Sequence, residues 1–202
     1  MRSHLSIDLE AARDQLRLDE RLAKIPSTAA VRGVWFSMMP QHMKRIGRGA
    51  EAAYRASGCV KPRTLYKLYA VGEFLEELLV GSAITRPDDA AEGMREIWRH
   101  NIDAFTNSLL GRSVARLVRP SPTTALRWVE RSRHLSCNYG DWWVEAITPQ
   151  YSVMHLHEEY IWIESAHLGG AEGMLDAIGV KASVEAELLS DFDGRLHIRW
   201  QS

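Results

Sequence analysis

Three side chains suited to metal chemistry recur at a spacing of two: His155, His157 and Glu159. Strand side chains repeat every second residue, so this spacing sets two imidazoles and a carboxylate on one face. Such a trio is a facial ligand set for zinc or iron. His167 follows in the next loop. The competing reading is a solvated sheet face, where His and Glu are ordinary, and no second ligand cluster accompanies the trio. Cys137 stands three residues after His134. A thiol and an imidazole make a catalytic pair only with a third, orienting group and an oxyanion loop. Neither is legible, so packing is the reading taken. Gly47-Arg48-Gly49 is too short for a phosphate-cradling loop and lacks the Gly-Lys-Ser/Thr continuation. No catalytic motif emerges, and the chain is expected not to be an enzyme.

The elements that would position these residues follow from periodicity. Residues 7–24 read as one helix, rich in Ala, Leu, Arg and Glu and ended by Pro26. Residues 28–46 carry apolar side chains at helical spacing, with Pro40 as a kink or a new start. A short helix over 51–57 is closed by Gly58. Residues 64–84 read as a buried helix with one polar edge, Glu73-Glu76-Glu77, and residues 88–110 as a second long apolar helix. A further helix spans 123–136, with Leu126, Val129 and Leu135 on its apolar side. After Gly140 the period changes to that of strands. Strands are expected near 141–148, 151–163, 181–190 and 194–200, with a short helix near 170–178 and a hairpin turn at Asp191–Gly194. A run of helices followed by β-β-α-β-β is an α+β domain with a four-stranded antiparallel sheet. The expected organisation is an N-terminal helical arm, 1–26, and a single α+β domain, 27–202.

The chain has 202 residues, 46% hydrophobic and 25% charged, the proportions of an ordinary globule. No apolar run nears the ~20 residues of a membrane helix. The charged N-terminus has no signal-peptide pattern, and the two cysteines suit a reducing compartment, so a cytoplasmic protein is expected. Net charge is −1 but unevenly placed: residues 32–63 hold seven basic groups against Glu51, and 141–193 hold eleven acids against Lys181. The basic stretch lacks a nucleic-acid reader motif, so attraction between opposite faces is preferred and no nucleic acid is expected. Of seven tryptophans, Trp35, Trp98, Trp128 and Trp200 fit interior stripes. Trp142 and Trp143 are adjacent, so one of them faces away from the core.

Three segments, in this order and spacing, carry a resemblance. Val31-Arg-Gly-Val-Trp-Phe36 leads a helix, Ala70-Val-Gly-Glu-Phe-Leu75 lies in a middle helix, and Glu172-Gly-Met-Leu-Asp-Ala-Ile-Gly179 precedes the last hairpin. The pattern resembles an uncharacterised paralogous family of soluble proteins expanded in myxobacteria, over residues 27–200. More distantly it is similar to the superfamily of haem–nitric-oxide-binding domains, 4-vinyl-reductase effector domains and transport-particle subunits. That resemblance implies a helical layer beside a twisted antiparallel sheet, often dimeric. Some members hold a haem or an aromatic effector between helices and sheet, and others serve as assembly subunits. The haem binders place a ligating His in the helical segment after the one holding Ile102 and Phe105. Here that stretch reads Leu109-Leu110-Gly111-Arg112-Ser113, and His100 lies too early. The propionate signature Tyr-x-Ser-x-Arg is also missing, since Ser132 is flanked by Glu130 and His134. The zinc of some effector domains needs a cysteine cluster that two distant cysteines do not supply. No cofactor is therefore expected.

Two functional readings follow. The leading one is a non-enzymatic regulatory or assembly module acting through protein contacts. The alternative is a sensor of an apolar or aromatic small molecule, with Phe74, Trp98 and Phe105 walling a pocket between helices and sheet. A homodimer is also expected. The helices over 64–84 and 88–110 are apolar around much of their circumference, including Leu65, Leu68, Leu75 and Leu78, and one sheet covers only one side.

Overall fold

The computed structural model describes residues 8–107 and 121–201, with side chains for all of these except 103–107. The chain forms two compact units, residues 1–97 and 98–202.

The first unit begins with α1 (Leu9–Gln15) and α2 (Leu18–Lys24). The single helix expected over 7–24 breaks at Arg17, which takes a left-handed backbone at φ 49°. Asp8 caps α1 by accepting the Ala11 N–H at 3.0 Å. The short strands β1 (Ala30–Arg32) and β2 (Leu68–Ala70) pair antiparallel, Val31 opposite Tyr69. Strand structure thus stands where helices were expected. The helix of 28–46 shrinks to α3 (Met38–Ile46), followed by α4 (Arg48–Ala56). The helix of 64–84 becomes α5 (Val71–Thr85), leaving Leu65 and Leu68 exposed.

α5 is the axis of this unit. Phe74, Leu75, Leu78, Leu79 and Ile84 are all buried, and α1, α2, α3 and α4 pack around it. Each such side chain contributes about 1.5–3 kcal/mol by leaving water. The breadth of α5's apolar surface is therefore met inside one chain. That removes the reason given for a second chain at Leu78, which is 0% exposed. The polar edge is also corrected: Glu77 is buried, while Arg13 holds Glu76 through two hydrogen bonds of 2.6 and 2.8 Å. α6 (Ala90–Asn107) then runs from the first unit into the second.

The second unit holds α7 (Pro122–Ser132), β3 (Asp141–Thr148), β4 (Tyr151–His157), α8 (Leu168–Ala177), β5 (Ala182–Leu188) and β6 (Gly194–Trp200). The sheet order is β3-β4-β6-β5, antiparallel throughout, as expected from the sequence. Ser121 caps α7 and Pro122 opens it, where a missing N–H costs nothing. Met154, Leu156, Leu196 and Ile198 face inward onto Leu126 of α7 and Leu175 of α8. Trp128 and Leu135, expected inside, are exposed at 39% and 70%. Trp143 is the outward member of its pair, at 47%.

The second expected strand ends at His157 rather than at residue 163, because Glu158 turns left-handed at φ 49°. Gly140 makes room for this turn. Its own φ is +62°, and a Cβ there would stand 2.4 Å from the His157 carbonyl oxygen and 2.5 Å from that of Glu158.

Two substitutions test this packing. Gly140→Ala should cost about 2 kcal/mol or more in denaturant unfolding, because strain and backbone overlap combine. Leu78→Arg should unfold the first unit, seen as lost helical circular dichroism, because it buries an unpaired charge. A folded Leu78→Arg protein would place that side chain at a surface after all.

Candidate functional site

β4 presents His155 and His157 on the outer sheet face, opposite Trp143 and Asp141. His155 stacks on Trp143, with centroids 4.7 Å apart and planes 5° apart, and its Nε2 lies 3.2 Å from Glu145 Oε2. His157 Nδ1 meets Asp193 Oδ1, which also accepts the Glu158 N–H at 3.0 Å. Each imidazole thus has its own carboxylate. Glu159 does not share their face. The left-handed Glu158 sends it into the interior, where it is 0% exposed. The facial trio read from the sequence is separated, and among the described residues no three His, Cys, Asp or Glu side chains converge as metal ligands.

Glu159 instead organises a buried cluster. Its Oε2 accepts the Trp142 indole N–H at 2.9 Å. Its Oε1 accepts the Ile161 N–H at 2.9 Å and the Tyr139 hydroxyl at 3.4 Å. His167 Nε2 lies 3.3 Å from the same oxygen, at ion-pair distance but off the hydrogen-bond line. The His167 ring sits 5.4 Å from Trp98 and 5.0 Å from Trp142, edge-on to the latter. Arg133, 3% exposed, lays its guanidinium 5.7 Å from the Tyr139 ring and 5.5 Å from that of Trp142.

Burial alone would push the Glu159 carboxyl up. The His167 imidazole, the Ile161 N–H and Arg133 outweigh burial and hold it below the ordinary glutamate value. The same burial, with the Glu159 charge, pushes the Cys137 thiol up to about 11 and raises the Tyr139 hydroxyl well above its ordinary value. Cys137 is thus a neutral thiol at pH 7, its sulfur 3.8 Å from the Arg133 carbonyl oxygen, while His134 is exposed. The arrangement can hold one charge rigidly; it offers no activated nucleophile.

Of the pocket residues expected from the sequence, Trp98 is buried beside His167. Phe74 is buried in the first unit, with Phe36 and Trp35 at centroid distances of 5.3 and 6.1 Å. Phe105 lies outside the described side chains. The sequence reading missed the joining of Arg133, Tyr139, Trp142 and His167 around Glu159. The signal available was Gly140, a residue suited to a left-handed turn, set just before a strand.

Glu159→Gln tests the cluster. A depressed carboxyl contributes stability that is present above the unfolded-state value and lost as pH falls through the folded one. Wild-type stability should therefore drop progressively below about pH 4.5, the ordinary glutamate value. The variant should lose about 3 kcal/mol at pH 7, because it leaves the buried Arg133 guanidinium without its counter-charge, and show a flatter acid limb. Urea midpoints measured across pH would read both effects.

No curated protein matches the sequence. Solved structures share its fold, among them the following H-NOX proteins. An H-NOX protein from S. oneidensis in the Fe(II)NO ligation state matches with TM-score 0.67 at 9% identity, covering 85% of this chain and 99% of that one. The Fe(II) unliganded H-NOX protein from K. algicida matches with TM-score 0.64 at 12% identity, covering 84% and 95%. An oxygen-binding H-NOX domain related to soluble guanylate cyclases matches with TM-score 0.60 at 14% identity, covering 84% and 93%. At such identities the likeness is one of fold. By sequence, residues 24–201 match the profile of proteins of unknown function DUF2378, and the chain belongs to that family.

Proposed function

We propose that the protein is a non-catalytic sensor domain whose ligand is an apolar or aromatic small molecule other than haem. The observation that carries this reading is the H-NOX-like fold over 84–85% of the chain, in proteins described with bound NO or oxygen. Trp98, buried beside His167, is the proposed pocket wall. Output through a protein partner or a second copy, in the cytoplasm, belongs to the same proposal.

The residues present do not fit haem. Haem iron needs an axial side chain, and Leu109-Leu110-Gly111-Arg112-Ser113, where the resemblance expects a His, contains none. Where the propionate signature has Tyr stands Glu130, whose Oε2 accepts the edge N–H of Val144 at 3.0 Å. A carboxylate there repels a propionate, and it already serves the sheet. Ser132 donates to the Val129 carbonyl oxygen at 3.0 Å, and an exposed His134 stands where the signature has Arg. The buried histidines are occupied too: His42 Nε2 is 3.1 Å from Thr85 Oγ1, and His167 faces Glu159.

Two measurements test the proposal. Haemin titration should give no saturable one-to-one Soret band, and a band lost on His100→Ala would overturn the non-haem reading. Native mass spectrometry of the freshly purified chain should show a bound small molecule, and Trp98→Ala should weaken its retention about tenfold or more, the effect of deleting an aromatic wall. A ligand-free protein that recovers a fixed set of proteins instead would favour the assembly reading.

A further inference from the structure

The first unit carries a cleft of about 220 Å³ between the C-terminal end of α4 and the start of α5. That is the volume of about seven waters. Its walls include Ser57, Cys59, Arg63, Glu73, Glu76 and Glu77. The three glutamates are not equivalent. Glu73 is paired with Arg63 at 2.7 Å, and Glu76 with Arg13 at 2.6 Å. Glu77 has no ion pair among the described residues, although it is 4% exposed. Its one hydrogen-bond partner among them is the Tyr54 hydroxyl, which donates to Oε1. Oε2 has none.

Arg63 makes no ion pair with Glu77, although its charge acts on that carboxyl and its Nε is buried without a hydrogen-bond partner among the described residues. Besides holding Glu73, its guanidinium lies over the rings of Phe36 and Tyr69, 4.5 and 4.8 Å from their centroids. Lys61, the other cation of the cleft, is exposed to water. The carbonyl end of α4 adds negative potential at the cleft, where Ser57 Oγ donates to the Tyr54 carbonyl oxygen at 2.7 Å. A buried carboxylate is stable when a cation with N–H donors meets it. Metal is a poor match, since among the described residues no three ligand side chains converge.

We propose that this cleft is a binding site for a small organic cation, a primary ammonium or guanidinium, whose N–H groups are received by the free oxygen of Glu77. Tyr54 holds the other oxygen and so fixes the carboxylate's orientation. Arg13 and Arg63 pair with Glu76 and Glu73, and Glu77 is left with no ion pair among the described residues. The site lies in the first unit, and its assignment does not depend on the sensor reading.

The test is a ¹⁵N-labelled titration of the full chain with n-butylammonium, n-butanol and n-butyrate. The ammonium should shift the amides of residues 57–63 and 73–77 saturably, and the isosteric alcohol should not. Glu77→Gln, with its spectrum otherwise retained, should weaken the ammonium about tenfold or more, the loss expected for a charge-assisted hydrogen bond. Equal shifts with the alcohol, saturation by butyrate, or unchanged ammonium affinity in folded Glu77→Gln would each overturn the proposal. Should that variant fail to fold, the wild-type comparison of ammonium with alcohol decides alone.

Discussion

A carboxylate taken out of water must be met by donors and positive charge, and the second unit is arranged around meeting that demand once, at Glu159. Four groups converge on its two oxygens or their surroundings: the Tyr139 hydroxyl, the Trp142 indole, the backbone N–H of Ile161, and His167 at the start of α8. The approach has geometric conditions. Glu158 must turn left-handed to aim the side chain inward, and Gly140 must lack a Cβ to let it turn. The β5–β6 turn completes the arrangement, because Asp193 accepts the Glu158 N–H and the Phe192 carbonyl oxygen accepts that of Glu159 at 2.8 Å. The backbone N–H groups on either side of the turn into Glu159 therefore tie the end of β4 to a turn more than thirty residues away in sequence.

The same residue shows where sequence reasoning succeeds and fails. The sheet was legible because its strands alternate, and a half-buried strand cannot slip by one residue without exposing its apolar face. Leu196 and Ile198 face inward as read. The metal trio failed for a definite reason: the argument from alternation assumed that β4 continued to Glu159, and nothing local announces a left-handed glutamate. β1 and β2 were illegible because three residues each are too few for a period to appear. The breadth of α5's apolar surface was read correctly, and helices of the same chain supply the cover at Leu78. A single sequence shows that a face is apolar and not what buries it. Trp128 fell on an interior stripe by spacing, yet the ring is 39% exposed.

The likeness to H-NOX proteins is one of fold, and the side chains of the second unit serve its own sheet and core. Glu130 covers a free edge N–H of β3, which an exposed edge strand otherwise offers to another chain. Arg133 lies flat against aromatic rings inside the cluster. Glu130 and Arg133 are thus committed to the sheet edge and to the Glu159 cluster.

The two buried glutamates respond to the proton with opposite sign. Glu159 is held below its ordinary value because imidazole, amide and guanidinium outweigh burial, so acid removes its contribution. Glu77 is pushed above its ordinary value by burial, which the Tyr54 hydroxyl, Arg63 and Lys61 only partly offset, with Glu73 adding to the rise. Ionising Glu77 therefore costs folding free energy, and that cost disappears as pH falls through its raised value. Tyr54, itself raised by burial and by Glu77, remains a donor throughout that range. Acid thus loosens the second unit while relieving the first. A buried acid whose neighbours already saturate it is finished structure, and one that its fold leaves under-matched retains the capacity to take up a proton or a cation.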